Sequence, residues 1–149
     1  MFKAAPWADA LYAIDPPWWK VYGQDVIESF RGLRFSGRQQ HGFAQASPFQ
    51  TFSNSGAAAI ALSAWMGARR IVLAGYDCQR TGGKSHSHGD HPQSLGNAKS
   101  MPQWFERFAQ CSRQMRALGV EVINASRATA LTCFPRGTLE EQLEQAATE

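Results

Sequence analysis

SGAAAIALSAWMGA at residues 55–68, followed by RR at 69–70 and IVLA at 71–74, reads as a helix delivered directly into a strand. Gly67 stands where a helix stops in a left-handed turn. The alanines offer a face that can lie close against a sheet. IVLA is a continuous apolar run, the pattern of a central strand covered on both faces. Upstream, ALYAID at 10–15 predicts a short buried strand ending in a carboxylate, and Pro16-Pro17 stops it and opens a helix. The spacing of Trp18, Val21, Tyr22, Val26 and Phe30 carries that helix to about Phe30, with Gly32 after it and a second strand over 33–35. Residues 36–53 are rich in Gly, Gln, Ser and Pro without a period, and predict a loop. Downstream, 75–101 is long, polar and irregular, as functional loops are. Pro102 opens a helix to about Leu118, closed by Gly119. VEVI at 120–123 is a strand, and Thr138 with Glu141 forms a capping box for a last helix. Strands separated by helices predict an α/β fold with a mostly parallel sheet.

The 149 residues fit one domain with a core of its own, and 44% hydrophobic with 18% charged residues excludes wholesale disorder. No apolar run approaches the roughly 20 residues of a membrane span, so no membrane partner is expected. The first residues lack the layout of a signal peptide. Cys78, Cys111 and Cys133 are an odd count with no close pair, which argues against a disulfide framework and for a cytoplasmic protein. A net charge of +3, spread along the chain, argues against a nucleic-acid partner. Arg113 and Arg116 read as one solvated helix face.

In parallel sheets, ligands bind outside the carboxyl ends of the strands. Three such ends are polar here: Asp15, then Gly75-Tyr76-Asp77, then Asn124 to Arg127 with Ser126 among them. Asn54, Ser55 and Gly56 open the alanine-rich helix, where unpaired amides and the helix dipole favour an anion. The same residues also suit a plain N-cap. Gly75 permits a sharp turn, and Asp77 suits a ribose hydroxyl or, equally, a turn carboxylate. Gly82, Gly83 and Lys84 can present amides and an ammonium to a phosphate, although the full P-loop spacing is absent. His86, His88 and His91 read first as donors to phosphate or sugar hydroxyls. With Asp90 they are also candidate ligands of a divalent metal, the one cofactor the sequence leaves open. Of Trp18 and Trp19, one packs on the sheet and the other, taken as Trp18, is a candidate to stack on a base.

FSNSGAAAIALSAWMGARRIVLAGYDCQRTGGKSHSHGDHP (52–92) and LGVEVINASRATALTCFP (118–135) resemble a group of phage and prophage Rossmann-like proteins. That group is distantly similar to the MptE-like pterin pyrophosphokinases and to the sialyltransferases of glycosyltransferase family forty-two. The resemblance runs from PWADALYAID to TCFP and implies a Rossmann-like three-layer fold. It implies that Ser55 and Gly56 contact a nucleotide. In a catalytic relative a histidine serves as general base, a role that falls on His86, His88 or His91 if this chain is an enzyme. Full-length relatives begin with a strand and a GxGPSL-like loop ahead of PWAD, so the resemblance implies a fold shortened at its N-terminus. An exposed sheet edge would follow, with a homo-oligomer to cover it. Two functions are expected: a phage-type binder that sequesters a nucleotide-derived immune signal in the host cytoplasm, acting as an anti-defence sponge, or a transferase using a nucleotide-sugar or pyrophosphoryl donor.

Overall fold

A computed structural model describes residues 2–80, 95 and 101–148 as mixed helix and strand with parallel sheets. After a 3-10 turn at Phe2–Ala4 come β1 (Ala10–Tyr12), α1 (Pro16–Ser29), β2 (Leu33–Ser36) and β3 (Gln45–Ala46). Then follow α2 (Ser55–Trp65), β4 (Arg70–Leu73), α3 (Met101–Ala117), β5 (Glu121–Asn124) and α4 (Leu139–Ala146). Among the described residues no helix is long and apolar enough to cross a membrane.

Both sheets are parallel. In the first, Ala10 to Tyr12 pair with Leu33 to Phe35, and Phe35-Ser36 pair with Gln45-Ala46, giving the order β1-β2-β3. In the second, Arg70 to Leu73 pair in register with Glu121 to Asn124. The amide of Ala13 extends the first ladder to the Phe35 carbonyl at 3.2 Å, and Ala125 extends the second to Leu73 at 2.9 Å.

Each sheet has its own core. Trp19, Val26 and Phe30 of α1 pack with Phe2, Ala13 and Ala44, and the Trp19 indole N–H donates to the Ala13 carbonyl at 2.9 Å. On the second sheet, Ile60 of α2 and Phe108 and Met115 of α3 close over Ile71, Leu73 and Val122, with Leu131 and Phe134 from the following loop. Burying an aliphatic or aromatic side chain of this size contributes about 1.5–3 kcal/mol. Helix α2 lies against both β1 and β4 and so belongs to both halves. Its small residues allow this, with Ala57 and Ala58 fully buried. The helix ends as expected at Gly67, whose φ is +103°. There the Gly67 and Ala68 amides return to the carbonyls of Ala64 and Ser63, the paired bonds of a Schellman stop.

Some expectations need correction. IVLA is not covered on both faces: Ile71 and Leu73 are buried, but Val72 is 37% exposed and Ala74 is exposed. Helices α2 and α3 cover only the Ile71/Leu73 face of β4. Residues 36–53 are not wholly loop, because β3 forms there by pairing with β2. The first strand stops at Tyr12, short of Asp15. Gly32 lies past the end of α1, whose cap is Phe30. A Cβ at Gly32 would come within 2.5 Å of the Ala8 and Asp9 carbonyls, so close backbone approach requires the glycine. Arg113 and Arg116 do lie on an exposed helix face, where Arg116 also donates to the Cys133 carbonyl at 3.1 Å and Arg113 pairs with Glu106.

Candidate functional site

Asn54 is extended, with φ −149°, and its side chain accepts from the Ala57 amide at 2.9 Å. It is an N-cap whose acceptor is used within the helix. The amides of Ser55 and Gly56 fall in the first turn, where a helix supplies no acceptor. Immediately upstream, Phe52 and Ser53 are two consecutive non-glycine residues in the left-handed region, at φ 53° and 50°. Each such residue costs of order 1–3 kcal/mol. The Arg107 guanidinium of α3 holds the turn by donating to the Ser53 carbonyl and, at 2.9 Å, to Gln103.

Two strand ends are tied to this helix start, and a third is tied to it through Tyr76. From β1, the Ile14 amide donates to Ser55 Oγ at 3.1 Å. From β4, the Tyr76 hydroxyl donates to the Gly56 carbonyl at 3.1 Å, and its ring stands edge-on to Phe108 with centroids 5.8 Å apart. A Cβ at Gly56 would sit 3.0 Å from Phe108 Cζ and 3.1 Å from Tyr76 Cε1. The glycine therefore lets the aromatic pair approach the helix. From β5, Ser126 Oγ accepts from the Tyr76 amide at 2.7 Å, and the Tyr76 carbonyl accepts from Thr129 Oγ1 at 2.6 Å and from Asn124 Nδ2. The Ala130 amide donates to the Asp77 carbonyl at 2.8 Å. Asn124 is fully buried and accepts from the Ser126 amide at 3.1 Å, an Asx turn at the end of β5.

Much of the polar chemistry read from the sequence is thus spent inside the protein. Asn54, Ser55 and Ser126 each accept from a backbone amide, and Ser126 is 3% exposed. Tyr76 acts as a brace, and burial, followed by the neighbouring Cys111 and Cys78 thiols, raises its phenol well above the ordinary value. What remains outward is a smaller set. Asp15, Gly75 and Arg127 are exposed, and Asp77 is half-buried. Asp15 makes no side-chain cap to α1. Gly75 turns at φ +77°, the left-handed conformation its sequence position predicts. Trp18 is half-buried against Phe2, Trp19 and Tyr22, with centroids 5.1–5.9 Å apart for the first two. Gly82, Gly83, Lys84, His86, His88, Asp90 and His91 lie outside the described residues.

Sequence reasoning missed Thr129 and Arg136, which donates to the Ser126 carbonyl at 2.7 Å, and it placed Asn124 at a polar strand end without its internal role. The signal for that role was the NASRAT string itself, where Asn followed by Ser two residues on is an Asx-turn pattern. It also missed that all three cysteines meet in one core. Cys111 is buried there, and Cys78 and Cys133 pack against it. Burial, then the neighbouring Cys133 and Asp77, pushes the Cys78 thiol up to about 11. Burial and Cys133 push Cys111 to about 12. Cys133 is raised by burial as well. These thiols are protonated at neutral pH and are poor nucleophiles. Among the described residues no group of three His, Cys, Asp or Glu is placed to hold a metal ion.

No protein-family model, no curated protein and no solved structure matches this chain.

Proposed function

We propose that the chain is a Rossmann-like three-layer binder of a small nucleotide-derived phosphate ligand, held where the strand ends meet the start of α2. One observation carries this reading. Two parallel sheets, β1-β2-β3 and β4-β5, share one helix, with α2 against both β1 and β4. Parallel strands of α/β folds bind ligands in the crevice outside their carboxyl ends, and a helix start that joins two such sets of strand ends suits that role. The first-turn amides of α2 stand there, fastened to β1 through Ser55 and to β4 through Tyr76. A helix start offers an anion both donors and a favourable dipole. Asp77 and Arg127, which follow β4 and β5, would supply a carboxylate for sugar hydroxyls and a cation for phosphate.

Sequestration of a nucleotide signal of phage defence fits a site whose side chains are committed to rigid internal bonds. A site of this kind binds with little reorganisation. The unpaired cysteines support a reducing compartment. The edges of β3 and β5, unpaired with any further strand among the described residues, support a homo-oligomer.

The test is to heat-denature the purified protein and identify released small molecules by mass spectrometry, alongside a melting-temperature screen with nucleotides and nucleotide sugars. Intact nucleotide in the supernatant and a dose-dependent rise in Tm are the expected results. Arg127→Ala should weaken the best ligand about tenfold, as loss of one exposed charge contact does. Turnover of the ligand would replace the binder with a transferase, and no shift across the panel would remove the nucleotide reading.

A further inference from the structure

A second recess adjoins the strand-end site and shares with it the Phe52-Ser53 turn and the Arg107 and Gln103 side chains that hold the turn. It is a groove of about 570 Å³ between the 50–53 turn and α3, within the size range of small-molecule sites. Thr51, Phe52 and Ser53 form one wall, and Gln103, Arg107 and Gln110 rise from the helix opposite.

Its chemistry selects a ligand class. The groove contains one guanidinium and one carboxylate, and each is already engaged. Arg107 donates to Ser53 and Gln103, while Glu106 accepts from Gln110 at 3.3 Å and from Arg113 at 3.1 Å. No net charge is offered, and an anion would meet the Glu106 carboxylate. The single aromatic, Phe52, is only 7% exposed, so an apolar ligand would find little surface. What the groove does offer is groups that donate and accept: the side-chain amide of Gln50, the hydroxyls of Thr51 and Ser53, and the ends of Gln103 and Gln110 left over from their bonds to Arg107 and Glu106, the Gln103 N–H groups and the Gln110 carbonyl. A sugar carries the matching set, neighbouring hydroxyls that each donate and accept.

We infer that this groove is a binding site for a neutral sugar. The consecutive left-handed residues Phe52 and Ser53, pinned across it by Arg107, are the kind of backbone outlier that clusters at ligand clamps.

The whole chain is titrated with glucose, galactose, mannose and N-acetylglucosamine by ligand-observed NMR, with inorganic phosphate as competitor. At least one sugar should bind with a Kd of about 1–10 mM, the range of a shallow polar site. Gln103→Leu and Gln110→Leu, both at exposed helix positions, should each weaken it about tenfold with the circular dichroism spectrum unchanged. Phosphate should leave the sugar in place. The inference is overturned if no sugar binds, if both variants bind as well as the parent, or if phosphate displaces the sugar. Nucleotide binding at the strand ends is measured separately and can fail without touching this result.

Discussion

Ser126 shows how a residue chosen by sequence for a ligand can belong to the framework. Its hydroxyl accepts the Tyr76 amide from a position 3% exposed. Ser126→Ala leaves that N–H without its partner, and such a loss costs about 1–3 kcal/mol. The expected result is a lower urea midpoint at unchanged slope; an unchanged midpoint would mean that the Ser126 hydroxyl is free to meet a ligand. Serine, asparagine and glycine were legible as special at 54–56, but their use was not. The same atoms that cap a helix also bind a phosphate, and only the Ala57, Ile14 and Tyr76 distances separate the two roles. The thiols give a second prediction at this scale. Folding raises Cys78 to about 11 and Cys111 to about 12 from an ordinary 9.0. A group raised on folding contributes stability that is intact below its unfolded pKa and is lost as pH climbs towards the folded value. Tm should therefore hold up to about pH 9 and fall through the alkaline range above it. In native protein at neutral pH, iodoacetamide should label Cys111 only after urea is added.

Elements were read best where their ends are written in local chemistry. The stop at Gly67 and the capping box at Thr138 and Glu141 are short-range signals, and both form as read. In that box the Thr138 side chain accepts from the Glu141 amide at 3.2 Å and Glu141 accepts from the Thr138 amide at 3.0 Å. Thr138→Ala should cost about 0.5–2 kcal/mol of α4 stability, seen as faster amide exchange in Leu143 to Ala146. The Thr138 amide holds the Glu141 carboxyl below the ordinary value. A depressed carboxyl contributes above its unfolded pKa and is lost as pH falls through the folded one. Fraying of α4 should therefore begin only in acid below the usual glutamate range, as NMR of the Thr138 amide would record. Strand β3 left no such trace. Gln45 and Ala46 have no period or propensity to mark them, and they are extended because β2 provides a ladder. The exposed Val72 was hidden for the opposite reason, since its apolar neighbours read alike whether one face is covered or two.

For the whole molecule, parallel pairing and helix-strand alternation follow from element order, and that order was visible in the sequence. The division into two sheets was not, because it depends on which edges meet in space. The two cores are joined through α2, which packs on both sheets. Ser55 holds Ile14 at its start, and Trp65 at its end stands against Phe35 and Phe49 at 6.0 and 6.2 Å. Its middle, Ala57, Ile60 and Ala61, is core to β4 and β5. Ala57→Leu would force a larger side chain into a fully buried position and should cost about 1–3 kcal/mol. Both halves should feel that cost, visible as a matched loss by tryptophan fluorescence and far-ultraviolet circular dichroism. A helix clamped at both ends and buried along its waist works like a shared axle. Neither half can loosen without the other, so calorimetry should record one endotherm, and no fragment cut within α2 should keep a stable half.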